Sequence, residues 1–78
     1  MRFVLYGQPG CHLCDDARAV LQRFSADFDE IDINSDDNLF KRYLERIPVV
    51  TLDGEELYEF FVDEADLQER LRRVRDRA

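Results

Sequence analysis

Apolar residues recur along the first half of the chain with two different periods, which predict alternating strands and helices. Residues 2–6 contain the run F-V-L-Y, which is continuous, β-branched and aromatic, as in a central strand covered on both faces. From residue 13 the spacing becomes helical, and the apolar positions are Leu13, Ala17, Val20, Leu21 and Phe24. Residues 28–33 alternate at their end, with Ile31 and Ile33 on one side, which predicts a strand near a sheet edge.

The second half of the chain repeats this change of period. Residues 34–37, N-S-D-D, are typical of a helix start, where a capping side chain is followed by acids. The apolar positions of that helix are Leu39, Phe40, Tyr43 and Leu44. Pro48 ends the helical segment and opens a short strand over 49–52. Asp53-Gly54 is a strong signal for a two-residue hairpin, so residues 57–62 are predicted to form the returning strand.

A last helix is predicted from Asp63, with Leu67, Leu71 and Val74 on its inward face. The element order is then β-α-β-α-β-β-α in one domain, residues 1–78. A helix joins the first two strands, so we expect them to be parallel with a right-handed crossover, whereas the hairpin makes the last two antiparallel. The predicted fold is α/β: a four-stranded mixed sheet flanked by three helices.

Length and charge restrict the classes of function. The chain has 78 residues, of which 45% are hydrophobic and 37% charged, a composition typical of one small globular domain. No apolar run approaches the ~20 residues of a membrane span. The amino-terminal segment lacks the pattern of a signal peptide, so we expect a cytoplasmic protein with no membrane partner. The net charge of −7 argues against non-specific binding of nucleic acid.

The charge is unevenly distributed. Residues 70–78 contain five Arg and one Asp, a local charge of +4 on an otherwise acidic chain. Cations stabilise the last turn of a helix, so this cluster is first interpreted as a solvated helix end. Contact with a partner or with RNA is the alternative.

Cys11 and Cys14 are the chain's two cysteines and form a C-x-x-C. Two cysteines do not make a disulfide framework or a four-thiolate zinc site. His12, between them, is the only histidine. The pair therefore leaves three hypotheses open: redox chemistry, a metal or cluster shared between two chains, or two buried thiols that only pack.

The position of the pair favours redox chemistry. Cys11 is predicted at the start of the first helix, where unpaired N–H groups and the helix dipole stabilise a thiolate. Cys14 lies one turn later on the same face, near the ~5.5 Å Cα separation that a disulfide prefers. Cys11 would attack a disulfide and Cys14 would resolve the mixed disulfide. His12, if cationic, would stabilise the thiolate and tune the reduction potential, whereas Asp15 and Asp16 would oppose it.

The chain resembles the thioredoxin superfamily in its compact glutaredoxin-like form, and especially small bacterial glutaredoxin-like proteins with a C-H-L-C motif. The resemblance rests on the element order, on Y-G-Q-P-G-C-H-L-C-D-D-A at residues 6–17 and on R-I-P-V-V at residues 46–50. It implies a thiol–disulfide oxidoreductase with Cys11 and Cys14 as the catalytic pair. It also implies that Ile47-Pro48 is a cis bond beside this pair, so that the main chain of Ile47 can bind an extended substrate.

We expect a disulfide-containing protein or a small thiol as partner, no bound cofactor and a monomeric chain. Glutathione is a candidate reductant, but the segment at 61–64 lacks the glycine pair that many glutaredoxins use, and its acids would repel a carboxylate. The alternatives are a non-catalytic protein-binding module and a dimeric iron–sulfur or zinc carrier using Cys11. Tyr6 is expected in the core or beside the thiols. All six phenylalanines are expected in the core: Phe3, Phe24, Phe28, Phe40, Phe60 and Phe61.

Overall fold

The element order in the computed structural model of the protein is the predicted one. The structure describes the backbone of residues 2–24 and 26–77, and the side chains of this part of the chain up to residue 73. The elements are β1 (Phe3–Gly7), α1 (His12–Arg23), β2 (Phe28–Asp32), a short 3-10 turn (Ile33–Ser35), α2 (Asp37–Tyr43), β3 (Val49–Leu52), β4 (Glu55–Glu59) and α3 (Glu64–Arg77).

The four strands form one mixed sheet in the order β2-β1-β3-β4. β1 pairs with β2 in parallel, as predicted for strands joined through a helix, and with β3 in antiparallel register. Tyr6 on β1 pairs with both Ile31 and Val49. The last residues of β1, β2 and β4 and the first residue of β3 therefore lie at the same end of the sheet. We call it the disulfide end, because Cys11 follows β1 there.

Both faces of β1 are covered, which explains its continuous apolar run. On one face Phe3 and Leu5 pack with α1 and α3, and the buried members of this cluster are Phe3, Leu5, Ala17, Leu21, Val50, Tyr58, Val62 and Leu67. On the other face a smaller cluster joins Ile33, Tyr43 and Val49, with Tyr6 against it. Leu71 is partly buried as predicted, while the side chain of Val74 lies outside the described residues.

The helix starts follow capping rules, with one shift from the prediction. Asp36 caps α2, since its carboxylate accepts the N–H groups of Asn38 and Leu39. The predicted start at residues 34–37 is therefore two residues early. Asp32 causes the difference: its carboxylate accepts the N–H of Asn34 and closes a 3-10 turn first.

The hairpin is confirmed, but the predicted bounds of the returning strand are wrong. Asp53 and Gly54 both have positive φ, as the favoured two-residue turn requires. β4 begins at Glu55 and ends at Glu59, whereas residues 57–62 were expected. It ends there because Phe60 has a φ of 67°, a left-handed conformation that interrupts the extended backbone.

Three phenylalanines predicted in the core are exposed, so those predictions are wrong. The exposed fractions of their side chains are 37% for Phe40, 48% for Phe60 and 68% for Phe61. α2 is short and buries only Tyr43 fully, while Phe60 and Phe61 lie beyond the end of β4. Phe3 is fully buried, and Phe24 and Phe28 pack against the core as expected. Tyr6 is half-buried against Tyr43, with ring centroids 4.9 Å apart.

The carboxy-terminal cations are paired along α3 where side chains are described. Arg70 forms a salt bridge with Asp66, while Arg72 and Arg73 both pair with Glu69. These contacts agree with a solvated helix face. Arg75 and Arg77 lie outside the described side chains. Within the described part of the chain, no helix is long and apolar enough to cross a membrane.

Tyr58 links β4 to α3 through a side-chain hydrogen bond. Its hydroxyl donates to Asp66 Oδ2 at 2.7 Å, and Arg70 Nε donates to the same oxygen at 2.8 Å. Burial, together with the hydrogen bond to Asp66, raises the pKa of Tyr58 above its ordinary value of 10.0. A raised pKa in the folded state gives stability that is complete below pH 10.0 and is lost as the pH rises through the folded pKa.

Replacing Tyr58 by phenylalanine is therefore expected to destabilise the protein by an amount that depends on pH. At neutral pH the variant should lose about 0.5–1.5 kcal/mol of unfolding free energy, the usual net value of one hydrogen bond. Above about pH 10 the difference should shrink, because the variant has no phenol to ionise. Urea unfolding across this range measures both values. Burial also raises the pKa of Tyr43, but this residue is present in both proteins and does not affect the difference between them. A difference in unfolding free energy that did not change with pH would contradict the assignment.

Candidate active site

Cys11 and Cys14 form a disulfide at the first turn of α1, with their Cα atoms 5.2 Å apart. Cys11 is the N-cap of the helix: its backbone is extended and its Sγ accepts the N–H of Cys14 at 3.1 Å. A cap position needs a side chain that can accept such a hydrogen bond, and here the sulfur takes that role. The three-residue spacing of Cys11 and Cys14 thus brings both sulfurs to one site, as predicted from the sequence.

The two sulfurs differ in burial. Cys14 is 1% exposed, whereas Cys11 is half-buried. The N–H of Cys14 and the amino-terminal end of the helix dipole both face Cys11 Sγ, so after reduction they would favour a thiolate at Cys11. Only Cys11 combines this stabilisation with access from outside. The geometry can therefore support attack by Cys11 and later attack by Cys14 from inside.

Gly7, the last residue of β1, lies directly beneath Cys14. A Cβ at this position would lie 2.8 Å from Cys14 Sγ and 3.1 Å from Cys14 Cβ, closer than side chains pack. The apolar pattern of the sequence did not indicate this packing role of Gly7. A glycine that ends a strand and precedes a C-x-x-C is the signal that could have indicated it.

Pro48 lies at the same end of the sheet. Because Tyr6 pairs with Val49, the preceding Pro48 comes opposite Gly7, which contacts Cys14. The Ile47–Pro48 peptide bond is cis, as the resemblance implied, and Pro48 is fully buried. Ile47 is half-buried and makes no turn or loop backbone hydrogen bond to another described residue. Its main chain therefore has the hydrogen-bonding capacity that an extended substrate needs.

His12 and Leu13, between the cysteines, are both exposed. His12 begins α1 beside Cys11, where its charge would act on the thiolate; its tuning role stays a prediction. The opposing charge of Asp15 is partly offset, since Arg18 bridges Asp15 and Glu30. The hydrogen bonds with Arg18 lower the pKa of Glu30. No sequence pattern indicated this arrangement.

The described residues do not provide a set of metal ligands at this site. No three His, Cys, Asp or Glu side chains come together there in an arrangement that could hold a metal ion. The chemistry that the described residues can carry out is centred on the two sulfurs.

The comparisons with known proteins agree with this fold. A model of the glutaredoxin-like domain family (DUF836) matches residues 2–72. The chain belongs to this glutaredoxin-like family. Among solved structures, protein XcR50 from X. campestris is similar, with 34% identity over 88% of this chain and 93% of that chain, and a TM-score of 0.75. Protein Ne2328 from Nitrosomonas europaea is 28% identical over 88% of both chains, with a TM-score of 0.74.

The glutaredoxin-like fold extends to more distant proteins. The glutaredoxin-like protein NrdH-redoxin from Escherichia coli is 20% identical over 91% of this chain and 95% of that chain, with a TM-score of 0.69. This likeness concerns the fold alone. Membership of the glutaredoxin-like family, together with the Cys11–Cys14 disulfide, supports a redox function in general terms.

Proposed function

We propose that this protein is a thiol–disulfide oxidoreductase in which Cys11 attacks and Cys14 resolves. The observation that carries the proposal is the asymmetry of the pair: the accessible sulfur is the one that caps the helix and accepts an N–H. A packing role alone would not need one accessible sulfur at a cap. Family membership supports the same conclusion.

The reaction transfers two electrons from the dithiol to a disulfide. The Cys11 thiolate attacks one sulfur of the substrate, a mixed disulfide forms, and the other sulfur leaves as a thiolate that takes a proton. Cys14 then loses its proton and attacks Cys11 Sγ. The second substrate thiol leaves and the Cys11–Cys14 disulfide forms. A reducing thiol, such as glutathione or the dithiol of a thioredoxin reductase, restores the pair by the reverse exchange.

The remaining residues have supporting roles in this proposal. Ile47 binds an extended substrate through its main chain, Pro48 fixes that segment beside the sulfurs, and His12 tunes the thiolate. The protein acts as a monomer on disulfide-containing proteins or small thiols, without nucleic acid or membrane. It needs no bound cofactor, since its two thiols carry both electrons. We place it in the cytoplasm, where thiols are kept reduced.

Coupled assays with a small neutral disulfide test the function. Reduction of bis(2-hydroxyethyl) disulfide is followed with glutathione and glutathione reductase in one experiment and with thioredoxin reductase in another. Turnover in either supports the oxidoreductase and identifies its donor. A thiol count that does not change with redox treatment would instead favour the binding module. A visible absorption band of the purified protein would favour the iron–sulfur carrier.

Alkylation of the reduced protein tests the assignment of the two roles. With limiting iodoacetamide at mildly acidic pH, Cys11 is expected to be modified first, because it is accessible and stabilised as the thiolate. Peptide mass analysis locates the label. In denaturant both cysteines should react at similar rates, which provides the control. Preferential labelling of Cys14 in the folded protein would reverse the assignment.

A further inference from the structure

Three large apolar side chains are exposed at the disulfide end of the sheet. Leu13 is 48% exposed, Phe60 48% and Phe61 68%. We call these three residues the apolar rim. Isolated exposed apolar residues are ordinary, but two adjacent phenylalanines and a leucine around one end of the sheet offer apolar area to a partner.

The fold places the rim beside the redox pair. Leu13 lies between the two cysteines, and the N–H of Phe60 donates to the carbonyl oxygen of Pro48 at 2.9 Å. Pro48 comes opposite Gly7, which contacts Cys14. Since β3 lies between β1 and β4, the end of β4 is two strand spacings, about 10 Å, from the end of β1. A protein surface that reached Cys11 would cover this distance.

The backbone at Phe60 gives a second, independent reason to assign it a role. Its φ of 67° is a conformation that glycine adopts readily and that is rare for a bulky side chain. Such conformations cost free energy and cluster at functional sites. An aromatic side chain therefore occupies a position where glycine would fit the backbone better.

The charges around the rim indicate the kind of partner. Asp15 and Asp16 follow the cysteines, and Asp63 follows the two phenylalanines. Within the part of the chain that the structure describes, neither Asp16 nor Asp63 forms a salt bridge. An anionic tripeptide such as glutathione and a second copy of this chain would both meet like charge here. A positively charged surface would be attracted.

We propose that the preferred substrates are proteins with apolar and positively charged residues beside the exchanging disulfide, and that Phe60, Phe61 and Leu13 select them. This inference rests on the proposed thiol–disulfide exchange. The apolar residues of the substrate cover the rim, and its cations lie near Asp16 and Asp63. Cys11 then exchanges with the substrate disulfide in the two steps given above, with dithiothreitol as the reducing dithiol in the assay.

Four model peptides, each containing one disulfide, separate the two parts of the proposal. The residues beside the cystine are leucine or serine in combination with lysine or glutamate. The measured quantity is kcat/KM with dithiothreitol as reductant, compared with bis(2-hydroxyethyl) disulfide as a neutral small substrate. We expect the leucine–lysine peptide to be reduced about tenfold faster than the serine–glutamate peptide at low salt. The lysine contribution should decrease with added salt.

Variants assign the preference to named residues. Phe60→Ser with Phe61→Ser should remove the advantage of leucine over serine peptides and leave the small disulfide unaffected. Phe60→Gly removes the same side chain while fitting the backbone, so it excludes a folding defect as the cause. Phe40→Ser removes an exposed phenylalanine of α2 that is not part of the rim and should preserve the preference. Asp63→Asn retains the oxygen that caps α3 but removes a charge, and should reduce the preference for lysine.

The outcomes distinguish this inference from the proposed function. Reduction of the small disulfide with equal rates on all four peptides would overturn the inference while the oxidoreductase stands. No reduction of any disulfide would overturn both. Loss of the leucine preference in Phe40→Ser to the same extent as in the rim variants would remove the assignment to Phe60 and Phe61. Dimerisation of the wild-type chain, lost in the Phe60 variants, would identify a second copy as the occupant and overturn the proposal.

Discussion

Replacing Cys11 by serine is expected to abolish disulfide exchange, whereas Cys14→Ser should halt the reaction at a covalent complex. Without Cys11 the accessible thiolate is lost, and buried Cys14 cannot reach a substrate. We expect the rate to fall by more than about a thousandfold, to the uncatalysed level. Without Cys14 the first attack still occurs but its mixed disulfide has no internal thiol to resolve it. Mass spectrometry under non-reducing conditions measures the adduct.

The two serine variants are controls for each other, since both remove one sulfur from the same helical turn. Circular dichroism establishes that each is folded. Exchange at the wild-type rate by Cys11→Ser, or an adduct on Cys14 in that variant, would refute the proposed order of attack.

Replacing Gly7 by alanine should destabilise the oxidised protein more than the reduced one. The added Cβ would lie 2.8 Å from Cys14 Sγ. In the disulfide this sulfur is fixed, but in the dithiol it can rotate away, although the contact with Cys14 Cβ at 3.1 Å remains. Overpacking of this kind costs roughly 1–3 kcal/mol. Urea unfolding of both redox forms, with equilibration against dithiothreitol, should show a shift toward the reduced form.

Gly10→Ala is the matched control for this substitution. Gly10 has a φ of 77°, and a Cβ there would meet no heavy atom within 4 Å. Alanine at this position should therefore strain the backbone equally in both redox forms. Equal losses in the oxidised and reduced Gly7→Ala protein would show that the contact with the sulfur does not decide the effect.

The sequence predicted what depends on local pattern and missed what depends on packing between distant elements. The periods of apolar residues identified every strand and helix, and Asp53-Gly54 identified the hairpin. The same patterns could not show that α2 buries so little of its surface, so Phe40 was wrongly assigned to the core. They also could not show that the pairing of β3 with β1 brings Pro48 opposite Gly7.

The cysteine pair of the site was predicted from the sequence, whereas the packing of Gly7 and the exposure of Phe60 were not. The cap position of Cys11 follows from its place before α1, and the spacing of three explains the burial of Cys14 on the helix's inner face. The role of Gly7 and the exposure of Phe60 depend on three-dimensional contacts with residues distant in sequence. Hydrophobicity alone assigned Phe60 and Phe61 to the core, because an exposed apolar patch and a buried cluster are identical in composition.

The two outer strands of the sheet have a consequence for how the molecule behaves at high concentration. β2 and β4 have unpaired edges, which in other sheets can template aggregation. Both are acidic: β2 reads F-D-E-I-D and β4 reads E-E-L-Y-E. The main-chain irregularity between β3 and β4 further disturbs one edge. Arg2, Arg18 and Arg46 pair with four of these six carboxylates, so each edge keeps a smaller net negative charge. Copies that met edge to edge would still repel one another, so this charge pattern opposes growth into an extended sheet while the apolar rim at the disulfide end stays available.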